Sequence, residues 1–231
     1  MTHTLDTPRG MRGVVPDART TRLGAGLGIT CLVLTAAGIA LAAPIAATLT
    51  SSPSDIVGFY TEGGMARTVA GGFVEILGIV LFLPFAVMLT SRVRAAGGRA
   101  ELLAATARTA ATVYVAVSLA PGMSAGATAL WLGHHGTTDA TILVALTALR
   151  SLSYFVALVP YAVFLGAVGA AGLAGRNLPR WAGWSAVVIG TALVASVPFA
   201  GYGMTDVLAL VSLLWIAPVA VALLRTPEPS V

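Results

Sequence analysis

The stretch "GGFVEILGIVLFLPF", Gly71 to Phe85, is apolar throughout except for one carboxylate, Glu75. An acid inside a run long enough to cross a membrane is costly unless it is paired, protonated or wet, which makes it a candidate functional group by default. Two roles suit it. Apolar surroundings disfavour the ionised form of a carboxyl, as a general acid or proton carrier requires. A nearby guanidinium opposes that effect and favours a structural ion pair, for which Arg150 is the expected partner. Two further acids, Glu62 in "GFYTEGG" and Asp206 in "GYGMTD", join Glu75 as candidate general acids. Arg150, Tyr60, Tyr202 and Asp139 are the candidate binding residues.

Other residue types offer less. "WLGHHGTTD", Trp131 to Asp139, holds a histidine pair, but adjacent histidines point to different sides of a helix and seldom chelate one metal. They are expected to be solvated loop residues. Cys31 is the only cysteine, which excludes an intrachain disulfide and a cysteine-built metal site. It is expected to be a buried structural thiol. No metal and no cofactor are expected.

Composition dictates the elements that must position these groups. Of 231 residues, 57% are hydrophobic and 10% charged, with a mean hydropathy of +0.91. Soluble domains usually carry about a quarter charged residues. The expected fold class is therefore all-α, a polytopic membrane protein built as a six-transmembrane-helix bundle. The spans are Leu23–Leu49, Thr68–Leu89, Leu103–Leu132, Ser151–Leu173, Trp181–Phe199 and Thr205–Leu224. Each is close to the roughly 20 residues that cross the hydrocarbon. Residues 1–22 read as a disordered cytoplasmic tail, too long and interrupted for a signal-peptide n-region, and 225–231 as a short cytoplasmic C-terminal tail. Thr137–Arg150 is apolar but short, either an interfacial helix or an outward extension of the fourth span. No Gly/Pro turn near Arg150 would let it form a separate crossing.

Arginine placement sets the expected orientation. All 13 basic residues are arginine. With the N-terminus inside, the inner segments hold Arg9, Arg12, Arg19, Arg22, Arg92, Arg94, Arg99, Arg108, Arg176, Arg180 and Arg225, and the outer segments only Arg67 and Arg150. Lys/Arg excess marks cytoplasmic loops, so both termini are expected in the cytoplasm and the protein in the cell inner (plasma) membrane. The remaining polar residues are asymmetric too. Asp55, Glu62, Asp139, Asp206, His134, His135, Tyr60 and Tyr202 fall at outer helix ends, and Glu75 lies about 10 Å below the outer edge by helical rise.

Smaller features complete the reading. "GFYTEGG" is expected to be an amphipathic lid on the outer surface. Thr205 or Asp206 is expected to cap the sixth span. "GAGLG" and "GAVGAAGLAG" read as small-residue packing faces, not as nucleotide-binding loops, because no strand precedes them. Prolines 44, 84, 121, 160, 198 and 218 fall within or at the ends of spans, where neighbours can satisfy the freed carbonyls. No Walker motif, zinc signature, nucleophile elbow or aspartate-rich diphosphate motif is present, and no repeat relates the two halves.

"FVEILGIVLFLPFAVML", "ALTALRSLSYFVALVPYAVFLGAVG" and "NLPRWAGW" together resemble the bacterial six-helix membrane family known as domain of unknown function 4386. The resemblance covers most of the chain after residue 22. It implies the six-helix architecture and makes Glu75, Arg150, Pro179, Arg180 and Trp181 the family-pattern positions, with no established activity attached. A weaker likeness is to the small integral-membrane terpene cyclases. It would make Glu75, Glu62 and Asp206 the acids that protonate a prenyl substrate.

Two functions are expected from these residues. The first is a non-enzymatic carrier, permease-like component or partner subunit with an outer-half small-molecule or proton site around Glu75. The second is an intramembrane acid–base enzyme acting on a lipid-phase substrate. The expected partners are the lipid bilayer and a lipophilic small molecule, with no nucleic acid. A homo-oligomer is compatible with the sequence.

Overall fold

The structure, a computed structural model, describes residues 18–42, 50–62, 65–94, 98–199 and 204–225. Among these residues the chain is all-helical, without strands. Its helices are α1 (Ala18–Ala42), α2 (Pro53–Glu62), α3 (Met65–Arg94), α4 (Gly98–Val117), α5 (Ser124–His134), α6 (Ala140–Gly175), α7 (Arg180–Ser196), α8 (Met204–Leu214) and α9 (Ile216–Arg225). Six stretches are long and apolar enough to cross a membrane: α1, α3, α4 with α5, α6, α7 with the short turn after it, and α8 with α9. Large apolar side chains such as Leu23, Phe73, Val188 and Leu210 are exposed along their outer faces.

The six stretches form a closed ring in which α1 packs on α3, α3 on α4, α4 on α6, α6 on α7, α7 on α8, and α9 on α1. Glycines set the closest approaches. A Cβ at Gly38 of α1 would lie 2.5 Å from the backbone nitrogen of Glu75, and one at Gly71 of α3 would lie 2.6 Å from that of Ala42. Two helices come this near only where a side chain is missing, the usual device for association without a hydrophobic driving force. The "GAGLG" face behaves as expected, with Gly24 against Met88 and Gly28 against Phe85. Gly169 of the second small-residue face likewise meets the Gly183 carbonyl of α7.

The antiparallel arrangement gathers Arg22, Arg92, Arg94, Arg99, Arg176 and Arg180 at one end of the bundle, here the arginine end. Two points refine the sequence reading. Residues 18–22, expected in the tail, are helical. Thr137–Arg150 is resolved as an extension of the fourth span, because Asp139 caps α6 by accepting the Thr141 amide at 2.9 Å and the helix then runs 36 residues to Gly175. At 1.5 Å per residue that is about 54 Å.

Two breaks have chemical causes. Between α4 and α5 the chain makes a π-helical turn, Ser118–Met123, around Pro121; proline supplies no amide to the carbonyl four residues back, and the wider turn accommodates the ring. Pro218 likewise supplies no amide to the Leu214 carbonyl, beside the one-residue break at Trp215 where α8 gives way to α9.

Candidate functional site

Glu75 is held by the α1–α3 seam. Gly71, Glu75, Gly78 and Phe82 follow one another at helical spacing along α3, and the Glu75 backbone lies against Gly38. The carboxyl is half-buried. Arg150 of α6 faces it at electrostatic range. Tyr114 of α4 and Tyr154 of α6 lie within the same range, and Asp206 of α8 sits beside the Tyr154 hydroxyl. Five of the six membrane-length stretches therefore contribute to one polar region, with α1 supplying the glycine that seats the acid.

On α6, Thr147, Arg150, Tyr154 and Tyr161 recur at three, four and seven residues and so share a face. The stem of Arg150 passes over Gly126 of α5, where a Cβ would lie 3.0 Å from the arginine Cδ. One turn farther in, Gly122 of the π turn faces Ser153.

Two turns along α3 from Glu75, about 10 Å by helical rise, lies an aromatic cluster. Phe82 makes edge-on contacts with Tyr114 (centroids 5.2 Å apart), Tyr161 (5.6 Å) and Phe164 (5.0 Å). Tyr114 and Tyr161 lie 4.9 Å apart. Their polar ends are satisfied: the Tyr161 hydroxyl donates to the Ser212 carbonyl at 3.1 Å, and Tyr114 lies within hydrogen-bonding reach of Ser118. No single span shows this cluster, because its rings come from three helices. A phenol in mid-span, which needs a buried partner, was the signal available at Tyr114 and Tyr161.

No family model, curated protein or solved structure matches this chain. Function has to be read from the residues themselves.

The other candidates scatter. Tyr60 is buried in a satellite cluster with Ile56, Ala129 and Leu143, where α2 packs on α5 and α6. α2 packs against α5 and α6, with Glu62 at its C-terminal end exposed; Gly63 and Gly64 of the expected lid lie outside the described residues. Asp139 is engaged as the α6 cap. Tyr202 lies outside the described residues. The expectation that Thr205 or Asp206 caps the last span is corrected: α8 starts at Met204, both residues lie in its first turn, and the Thr205 hydroxyl donates to the Ser196 carbonyl at 2.9 Å. His135 stacks on Trp131 with its Nδ1 2.7 Å from the Trp131 carbonyl. No group of three metal-ligating side chains occurs among the described residues. Cys31 is buried at 2% exposure.

Chemically, a half-buried carboxyl facing a guanidinium, two phenols and a second acid can hold a proton or a polar headgroup. The neighbouring rings can contact an apolar or cationic body.

Proposed function

We propose that this chain is a multi-pass membrane protein of the inner (plasma) membrane with both termini in the cytoplasm, and that it holds a small molecule or a proton at Glu75 in its outer half. It acts as a carrier, permease-like component or partner subunit. The observation that carries this reading is the convergence of Glu75, Arg150, Tyr114, Tyr154 and Asp206 from four helices onto one region. Arg94–Glu101 and the Arg108 bonds to Thr90 and Ser91, by contrast, lie at the other end, where positive-inside topology explains the arginines.

The test is the stability and yield, in detergent, of Glu75→Gln, Arg150→Gln and the double variant. A carboxyl kept for function leaves Glu75→Gln at least as stable as the parent. The same variant then abolishes thermal-shift hits from a panel of lipophilic amines, acids and isoprenoids, or proton flux in vesicles. If both single variants collapse and the double variant recovers, the pair serves packing and this reading fails. Breaking one side of a buried pair costs about 3–5 kcal/mol.

A second reading, an intramembrane acid–base enzyme such as a membrane terpene cyclase, is favoured by one observation. The acid stands two turns from the cluster of Phe82, Tyr114, Tyr161 and Phe164, and aromatic faces stabilise cations. Conversion of an isoprenoid substrate that is lost in Glu75→Gln would distinguish it from a carrier, which returns its ligand unchanged.

A further inference from the structure

Helix α2 is attached to the rest of the molecule in an unusual way. It packs on α5 and α6 through Ile56 and Tyr60, which belong to a satellite cluster with Ala129 and Leu143, separate from the main core. Its polar residues Ser54, Asp55 and Glu62 are exposed.

Among the described residues one side-chain hydrogen bond fastens it. The Tyr60 and Thr147 hydroxyls are 3.3 Å apart, and Thr147 also reaches the Leu143 carbonyl at 2.8 Å. A hydroxyl has one proton. The shorter bond takes that of Thr147, and the Tyr60 phenol then donates to the Thr147 oxygen. Gly133 of α5 completes the seat, since a Cβ there would lie 2.7 Å from the Tyr60 carbonyl.

The seat lies in line with the candidate site. Thr147 is one turn from Arg150 on the same face of α6. Gly133, under Tyr60, is two turns from Gly126, under Arg150. Tyr60 thus sits over the seam between α5 and α6, its backbone about 10 Å along α5 from the point where the Arg150 stem crosses.

We propose that α2 is a latched lid: Tyr60 and Ile56 hold it in the α5–α6 groove, and their release opens a path along that groove to Arg150. This rests on the reading of the Arg150–Glu75 region as a site, but its test does not use Glu75. A small, separate apolar cluster with one hydrogen bond is the kind of unit that opens locally without global unfolding.

The experiment uses the full chain in detergent, in a Cys31→Ser background, with a cysteine placed at Leu143 beneath the lid or at Ser153 below Arg150. Both positions are buried, at 0% and 6% exposure. Labelling by N-ethylmaleimide is followed in time. Tyr60→Phe is expected to speed labelling at both positions roughly two- to tenfold, the effect of losing one hydrogen bond. Ile56→Ala is expected to speed it on the order of thirtyfold. Hydrogen exchange of the α2 amides should accelerate in parallel while that of α3 stays unchanged, which separates lid opening from unfolding. Equal labelling rates in all three backgrounds overturn the proposal. So does acceleration at position 143 without acceleration at 153, because α2 would then move without opening the groove. Loss of ligand or proton effects in Glu75→Gln bears on the site and leaves the lid to stand or fall by these rates.

Discussion

The two ends of the bundle handle their polar groups in opposite ways. At the arginine end two of the cations, Arg94 and Arg108, are met by side chains within 18 residues of them in the sequence. Arg94 pairs with Glu101 across the turn from α3 to α4. Arg108 donates to Thr90 at 3.4 Å and to Ser91 at 3.1 Å, whose own protons go to the Val87 carbonyl. At the other end the polar groups that face one another, Glu75, Arg150, Tyr154 and Asp206, come from helices far apart in sequence. Local pairing is what a topological signal needs. Convergence from distant segments requires the whole fold, and selection for folding alone does not require an acid there.

Substitutions can break this contrast. The largest effect is expected for Phe82→Ala, which removes the ring shared by four aromatic contacts next to the Glu75 region. A loss of about 3–5 kcal/mol should appear as reduced yield and a lower Tm. Glycine substitutions compare the ends directly. Gly38→Ala drives a methyl into the Glu75 backbone, whereas Gly24→Ala meets the flexible side chain of Met88. The first should cost about 1–3 kcal/mol and the second less, so equal Tm values for the two would erase the distinction. Arg108→Ala leaves two hydroxyls without their donor and should cost about 1 kcal/mol. Arg94→Gln removes an ion pair whose partners are 52% and 49% exposed, and screening limits its effect to under about 0.5 kcal/mol. A larger loss there would mean that the arginine end is more than a topological marker.

How much of this was legible depended on whether the signal was local. The six stretches could be read because apolar runs of span length are contiguous. The Arg150–Glu75 relationship could be read because few charges were available to face a single acid. Whether Thr137–Arg150 joined the fourth span could not be decided, because its apolar run offers no breaker; the Asp139 cap settles it. The π turn at Ser118–Met123 was invisible behind a proline that has several common outcomes. The aromatic cluster and the Tyr60–Thr147 contact, between residues 87 apart, exist only once α3, α4 and α6, or α2 and α6, are brought together. Thr205 or Asp206 was read as a cap from its position near a helix start, but α8 begins at Met204, which puts both inside the first turn.

The length of α6 has a consequence for the surrounding lipid. α6 and the α4–α5 stretch, with 36 and 37 residues, reach about 54 Å or more. Next round the ring the α7 and α8–α9 stretches, with 20 and 21 residues, reach about 30 Å, the hydrocarbon thickness of an ordinary bilayer. Set in a membrane, such a molecule presents a tall flank and a short flank, and exposed Ile142, Leu149 and Leu152 extend the apolar surface of the tall one. The bilayer then has to thicken along one side and hold its rest thickness along the other. Reconstituted into lipids of graded acyl length, the protein should be most stable in chains longer than its short flank would select, and the tall helices should set that optimum.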